Sequence, residues 1–135
     1  MYAWLVGGMI RRGYAQAVAG QPRMLKAVTA DDVEFVFPGR NSFAGRLTGR
    51  ADLMAWLARF ASLRPDFRVH DVVVSGPPWN LRAAVRFSDA IGDDYRNEGV
   101  EYLRLRWGKL HRIEVFVDTE RISAWESRHP ELVAS

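Results

Sequence analysis

The chain has 135 residues, of which 48% are hydrophobic and 26% charged, and these proportions are typical of one soluble globular domain spanning residues 1–135. It contains no cysteine, which excludes disulfides, thiolate nucleophiles and cysteine-based metal sites. The net charge is only +3 and the arginines are scattered, so we expect no nucleic-acid partner. No apolar stretch is long enough to span a bilayer and residues 1–10 lack a basic leader segment, so we expect no membrane association and a cytoplasmic location.

The first half of the chain is predicted to be mainly helical. Apolar residues recur at helical spacing over residues 2–19, and a short second helix is expected over residues 22–28. A strand over residues 33–37 then ends at a Pro-Gly pair, and the glycine-rich residues 38–49 are predicted to form a loop. A third amphipathic helix is predicted over residues 50–62.

The second half of the chain is predicted to consist of strands. Residues 67–75, 79–88, 99–107 and 110–117 alternate between apolar and polar side chains and are separated by turns that contain glycine. The tail over residues 120–135 is expected to hold a short helix. Helices followed by a run of strands indicate an α+β domain, in which a curved, mainly antiparallel sheet wraps over the helices.

The strand over residues 99–107 carries an acid on its apolar face. Alternation puts Tyr102, Arg104 and Arg106 on one face, and Glu101, Leu103, Leu105 and Trp107 on the other. Burying an unpaired carboxylate costs several kcal/mol or more, so Glu101 must be hydrogen-bonded, paired or protonated. Glu101 is therefore either an acid of a functional site or a structural carboxylate paired inside the core.

The preceding strand has the same two-sided character. Leu81, Ala83, Val85 and Phe87 share its apolar face, while Arg82 and Arg86 lie on the other. The sheet is thus predicted to have an apolar concave face and a basic convex face, the latter either solvated, part of a dimer interface or a contact for an anion. The acids that follow, at positions 89, 93, 94 and 98, are interpreted as a solvated loop rather than as metal ligands, so we expect no metal site.

Several short stretches together resemble the NTF2-like superfamily and, within it, the SnoaL-like proteins. They are TADDVEF at 29–35, FPGR at 37–40, FAG at 43–45, TGR at 48–50, YRNEGVE at 95–101, WGKL at 107–110 and VDT at 117–119. The resemblance implies a cone-shaped domain in which the curved sheet and the N-terminal helices enclose a mostly apolar pocket. It also implies a hydrophobic small-molecule ligand, frequent homodimers and no obligatory cofactor.

The resemblance also suggests catalytic residues. Compared with the ketosteroid isomerases of this superfamily, Tyr14 and Glu101 stand where two groups donate hydrogen bonds to the ligand oxygen. The general base of those enzymes would directly precede Pro38, where this chain has Phe37, so isomerisation by that machinery is not expected. The SnoaL-type cyclases use a histidine and an acid, for which His70 with Glu101 or Asp118 is available.

Each of these residues also has a structural interpretation. Tyr14 could be a core tyrosine, His70 a partly exposed strand residue, and Asp118 the N-cap of a following helix. The function remains open between a catalyst of isomerisation or cyclisation, a non-catalytic ligand-binding module and a dimeric assembly module. The predicted pocket wall consists of Phe35, Phe37, Trp56, Val85, Phe87, Leu103 and Val115.

Overall fold

Five α-helices and six strands make up the fold seen in a computed structural model, which describes residues 2–133. The first half contains α1 (Tyr2–Val18), α2 (Arg23–Val28), β1 (Thr29–Phe37), β2 (Gly45–Thr48) and α3 (Arg50–Ser62). The second half contains β3 (Asp66–Ser75), a single 3₁₀ turn (Pro78–Asn80), β4 (Leu81–Ile91), β5 (Tyr95–Arg106), β6 (Lys109–Val117), α4 (Thr119–Arg128) and α5 (Pro130–Val133). No helix within this described range is long and apolar enough to cross a membrane.

The six strands form one curved sheet in the order β2-β1-β6-β5-β4-β3. Neighbouring strands are antiparallel except for β1 and β6, which pair in parallel, so the predicted α+β class and mainly antiparallel sheet are confirmed. Irregular registers in β1, β3 and β6 increase the local bend of a sheet, because a bulge adds an unpaired residue. The helices α1 and α3 pack on the concave side against β3 and β1.

The hydrophobic core lies between the concave face of the sheet and these helices. Its buried members are Val33, Phe35, Leu53, Ala83, Val85, Phe87, Leu103, Leu110, Ile113 and Val115. A second buried cluster closes the end of the sheet beside α4 and consists of Tyr95, Ile122 and Trp125. The α4 helix thereby covers the end of the cone that the hairpin between β4 and β5 leaves open.

Several predicted boundaries are wrong, and one error matters for function. The predicted loop at 38–49 contains β2, and the strands predicted at 79–88 and 99–107 run instead over Leu81–Ile91 and Tyr95–Arg106. The sequence interpretation ended these strands where polar residues begin, but ladder pairing continues through the pair Asp89 and Asn97. Asp89 is therefore a strand residue on the concave face rather than part of a solvated loop.

Alternation along β5 predicted that Trp107 lies on the apolar face of the strand. This prediction is wrong. Trp107 has a positive φ of 50° and, with Gly108 at 77°, forms the turn between β5 and β6. Two successive left-handed residues are typical of a tight two-residue hairpin, which turns the side chains away from the strand pattern. Trp107 is 71% exposed, and its ring lies 5.9 Å from the exposed ring of Trp79.

The outer face of the sheet is basic and partly apolar. Arg82, Arg86, Arg104 and Arg106 are exposed there, as the alternation predicted. Val73 and Phe116 are exposed on the same face, each more than half accessible. The homodimer implied by the family resemblance stays a prediction, for which this face offers apolar surface.

Gly99 is a point where the sheet tolerates no side chain. A methyl group there would overlap the carbonyl of Phe116 and the side chain of Val117, and would reach the Phe87 ring at 3.0 Å. We expect Gly99→Ala to lower the free energy of unfolding by about 1–3 kcal/mol, because overpacking forces neighbouring groups to move. Urea unfolding followed by circular dichroism measures this change.

Gly8 provides the matched control, since a methyl group at this position of α1 would meet no atom within 4 Å. Gly8→Ala should leave stability unchanged or raise it by up to about 1 kcal/mol, because alanine is the better helix former. Equal stability of Gly99→Ala and the unmodified protein would contradict the packing described.

Candidate functional site

A cavity of about 370 Å³ lies inside the cone, between the concave face of the sheet and the helices α1 and α3. Its lining is apolar over most of its surface. Within residues 2–133, the ionisable side chains that line it are Tyr14, Asp89, Tyr95 and Glu101. Chemistry inside this cavity therefore rests on two tyrosines and two carboxyl groups.

Aromatic rings form one part of the cavity wall. Phe35, Phe37, Phe43 and Trp56 contact one another with ring centroids 4.6–6.4 Å apart. The Trp56 indole N–H donates to the Phe43 carbonyl at 3.0 Å, which fixes the orientation of the ring. Such a wall offers flat apolar surface to a flat apolar ligand.

Six of the seven predicted wall residues line the cavity. They are Phe35, Phe37, Trp56, Phe87, Leu103 and Val115. The seventh prediction is wrong, because Val85 is 0% exposed and belongs to the core behind the cavity surface. Val85 is a short side chain paired across the ladder with Glu101, and its neighbours cover it completely.

Tyr14 and Glu101 both line the cavity, close enough for each to shift the pKa of the other. Tyr14 projects from α1 and stacks on Phe67 at 5.5 Å, and Phe67 stacks in turn on Phe87 at 4.9 Å. Glu101 lies in the middle of β5, where its ladder partners are Val85 and Val115. The stack therefore holds the tyrosine over a carboxyl group whose neighbours in the sheet are aliphatic.

Both members of this pair have shifted acidities. Burial raises the pKa of Glu101 to about 7, the hydrogen bond with Tyr14 lowers it, and the charge of Asp89 raises it further. Burial also raises the pKa of Tyr14 well above its usual value, and the charge and hydrogen bond of Glu101 act in the same direction. Tyr14 therefore stays protonated near neutral pH, while Glu101 exchanges between its neutral and charged forms.

Asp89 is the functional candidate that sequence reasoning missed. It lies on β4 and is only 9% exposed, and its Oδ1 atom is buried without a hydrogen-bond partner among residues 2–133. Burial raises its pKa to about 7, and a hydrogen bond from its own backbone N–H opposes this rise. Alternation along β4 could have revealed it, because Asp89 falls on the same inward face as Val85 and Phe87.

Tyr95 and Asn97 complete a polar end of the cavity beside Asp89. Asn97 pairs with Asp89 across the ladder, and its side-chain amide donates to the Tyr95 hydroxyl at 3.0 Å and to the Asp118 carbonyl at 2.9 Å. The pKa of Tyr95 is raised, first by burial and then by the charge of Asp89. The apolar cavity therefore contains two polar regions, one at Glu101 and one at Asp89.

His70 does not line the cavity. It is exposed on the outer side of β3, and its Nε2 atom pairs with the Ser88 hydroxyl at 2.7 Å. The register shifts between Val69 and Asp71, so a bulge at His70 interrupts the alternation on which its direction depends. The predicted contact of His70 with a pocket ligand is therefore wrong.

Asp118 lies outside the cavity as well and is the N-cap of α4. Its carboxylate accepts from the Glu120 backbone N–H at 3.1 Å and from the Arg121 side chain at 3.3 Å. Such an acceptor satisfies the free N–H groups of a first helical turn, which confirms the capping interpretation over the catalytic one. Among residues 2–133, no three histidine or acidic side chains are grouped closely enough to hold a metal ion.

The fold and the enclosed apolar pocket are those of an NTF2-like cone. A model of the SnoaL-like domain matches residues 10–113, so the chain belongs to the SnoaL-like family. A search of curated proteins found no significant match.

Solved structures share this fold. An NTF2-like protein from Burkholderia xenovorans has a TM-score of 0.66 and 21% identity, covering 87% of this chain and 92% of that one. A candidate ketosteroid isomerase from Kribbella flavida has a TM-score of 0.61 and 27% identity, covering 83% and 79%. A candidate polyketide cyclase from Pseudomonas putida has a TM-score of 0.62 and 18% identity, covering 85% and 93%.

The raised pKa of Glu101 predicts how stability depends on pH. The folded protein retains a proton that the unfolded chain loses above its pKa of about 4.3, so stability is highest at low pH and falls as pH rises towards 7. Glu101 should account for about 3 kcal/mol of this loss, and Glu101→Gln should remove that part while the contribution of Asp89 remains. Urea unfolding at about pH 4 and pH 8 measures the difference between variant and unmodified protein.

Glu98→Gln is the control, because Glu98 is an exposed glutamate on the same strand. If Glu101→Gln and Glu98→Gln show the same pH dependence of stability, the carboxyl group of Glu101 is not buried in the way described.

Proposed function

We propose that this SnoaL-like protein binds a hydrophobic small molecule through one of its oxygen atoms and moves a proton in an isomerisation or cyclisation. The observation that carries the proposal is the Tyr14–Glu101 pair, which lies in a cavity with little other polar surface. Clefts that bind small molecules are typically apolar with a few convergent polar groups, and about 300–1,000 Å³ in volume. The 370 Å³ cavity is of this kind.

The pair favours a ligand with a carbonyl group. When Glu101 is neutral, it and Tyr14 are both hydrogen-bond donors, and they suit an oxygen that gains negative charge as an enolate forms. Preorganised donors in a dry site are typically worth about 3–4 kcal/mol each to such a transition state. The aromatic wall around Trp56 favours a flat ligand that lies against it.

Non-catalytic ligand binding is the second candidate function. The observation in its favour is Phe37, which directly precedes Pro38 at the place where the isomerase resemblance requires a base. Phe37 lies within the aromatic wall, with its ring 5.4 Å from that of Trp56, and it cannot accept a proton. A binding module would use the same cavity and the same donors without turnover.

Binding of 2-naphthol tests the proposed ligand class, since this probe is flat and apolar and carries a single acidic oxygen. We expect saturable binding near pH 6, where Glu101 is largely neutral, measured by fluorescence titration. Tyr14→Phe and Glu101→Leu should each weaken the affinity about tenfold or more, because a hydrogen bond to a charged or strongly polarised group is worth about 1.5–3 kcal/mol.

Tyr102→Phe is the matched control. Tyr102 neighbours Glu101 on β5 but faces the outer side of the sheet, so its hydroxyl cannot reach a ligand in the cavity. Equal affinity in all four proteins would contradict the donor pair, and no saturable binding to the unmodified protein would contradict the ligand class.

A further inference from the structure

Asp89 has no structural partner that accounts for its place inside the cone. Its buried Oδ1 atom has no hydrogen-bond partner within the described residues 2–133, and the other lining residues around it are largely apolar. A buried polar atom without a partner costs free energy and is rare in folded proteins, so it calls for an explanation. A ligand that brings a proton or a donor to this oxygen would supply one.

Asp89 and Glu101 face the same cavity from adjacent strands. Asp89 pairs with Asn97 and Glu101 with Val85, so the two acids are offset by four ladder positions, or about 13 Å along the strands. The ring of Phe87 lies on the same face between them, opposite Gly99. The charge of Asp89 nevertheless raises the pKa of Glu101, so the two carboxyl groups interact across the cavity.

We propose that Asp89 is the catalytic base of this cavity and removes a proton from a carbon atom next to the carbonyl group that Tyr14 and Glu101 bind. This assignment rests on the proposed function. A flat ligand that lies against Phe87, with its oxygen at Glu101, extends along β4 and β5 towards Asp89.

The proposed step conserves atoms and charge. The Asp89 carboxylate takes the proton of the C–H bond, and the electrons of that bond form a carbon–carbon double bond. The carbonyl π electrons move to the oxygen, which carries the negative charge and accepts hydrogen bonds from Tyr14 and neutral Glu101. Return of the proton from Asp89 to another carbon of the conjugated system gives an isomer. Alternatively, the enolate carbon attacks a second carbonyl group and closes a ring, and the oxygen of that second carbonyl takes the proton from Asp89 to become a hydroxyl group.

Apart from Glu101, which is assigned to the ligand oxygen, no other described group that lines the cavity meets the requirements for this base. Tyr14 and Tyr95 line the cavity but stay protonated near neutral pH, because burial raises the pKa of each. His70 and Asp118 lie outside the cavity, and Phe37 has no proton-accepting atom. The pKa of Asp89, raised to about 7, allows both the base and its protonated form to be populated.

Hydrogen–deuterium exchange of 2-tetralone tests the assignment. This flat ketone has the shape of 2-naphthol and acidic C–H bonds next to its carbonyl group, and its exchange in D₂O is followed by proton NMR. The unmodified protein should accelerate exchange above the protein-free rate, and Asp89→Asn should reduce that acceleration about 100-fold or more. At about pH 4, where Glu101 is largely neutral in both proteins, Asp89→Asn should leave the affinity for 2-naphthol unchanged, because the oxygen-binding donors remain.

Asp93→Asn is the matched control, since Asp93 is an exposed residue in the turn after β4 and should change neither readout. Asp89→Ala gives an independent measurement: added formate should restore exchange by replacing the missing carboxylate. Both Asp89 variants should fold at least as stably as the unmodified protein at neutral pH, because the unpartnered Oδ1 atom makes no stabilising contact. A variant that does not fold would show a structural role and overturn the assignment.

The outcomes separate the two proposals. Loss of 2-naphthol binding in the unmodified protein would refute the proposed function itself. Binding of 2-naphthol and 2-tetralone without accelerated exchange, or full exchange in Asp89→Asn, would overturn the role of Asp89 alone and favour the non-catalytic binding module.

Discussion

The cost of placing carboxyl groups in an apolar cone is the physical constraint on which the rest of this structure depends. Glu101 has aliphatic neighbours on both adjacent strands. The side chains that shift its pKa within the described part of the chain are Tyr14 and Asp89, and neither is a cation. Water would stabilise the charge of Glu101, but burial removes most of that water. The carboxyl group therefore holds a proton at pH values where an ordinary glutamate has lost it.

Asp89 adds to this constraint. The charge of Asp89 raises the pKa of Glu101, so ionised Asp89 favours the neutral form of Glu101. A state with one proton between them has one base and one acid in the same cavity. Burial of these carboxyl groups lowers the stability of the fold, and the packed aromatic and aliphatic core compensates for this loss. The same burial produces the shifted pKa values on which the proposed chemistry depends.

Local patterns in the sequence were sufficient to predict much of this arrangement. Alternation along β5 predicted that Glu101 faces inwards beside Leu103, and the same rule placed Arg82 and Arg104 on the outer face. The Asp118 cap was predictable because helix N-capping depends on residues close in sequence. Tyr14 was predicted from the family resemblance, and its place in the cavity agrees with that prediction.

What the sequence did not reveal depends on long-range pairing. Asp89 was assigned to a loop because glycine and acidic residues follow it, whereas its pairing with Asn97 extends both strands. The direction of His70 depends on a bulge, which arises only when β3 pairs with β4. Whether Val85 faces a cavity or a filled core depends on how closely α1 and α3 approach the sheet, and the periodicity of one strand contains no such information.

The most direct test of this account is the titration of the Glu101 carboxyl carbon by NMR in the unmodified protein and in Asp89→Asn. We predict a pKa of about 7 for Glu101 in the unmodified protein and a lower pKa in the variant, because the variant lacks the neighbouring charge. A pKa at or below the value of about 4.3 for free glutamate would contradict the central claim, as would identical values in the two proteins.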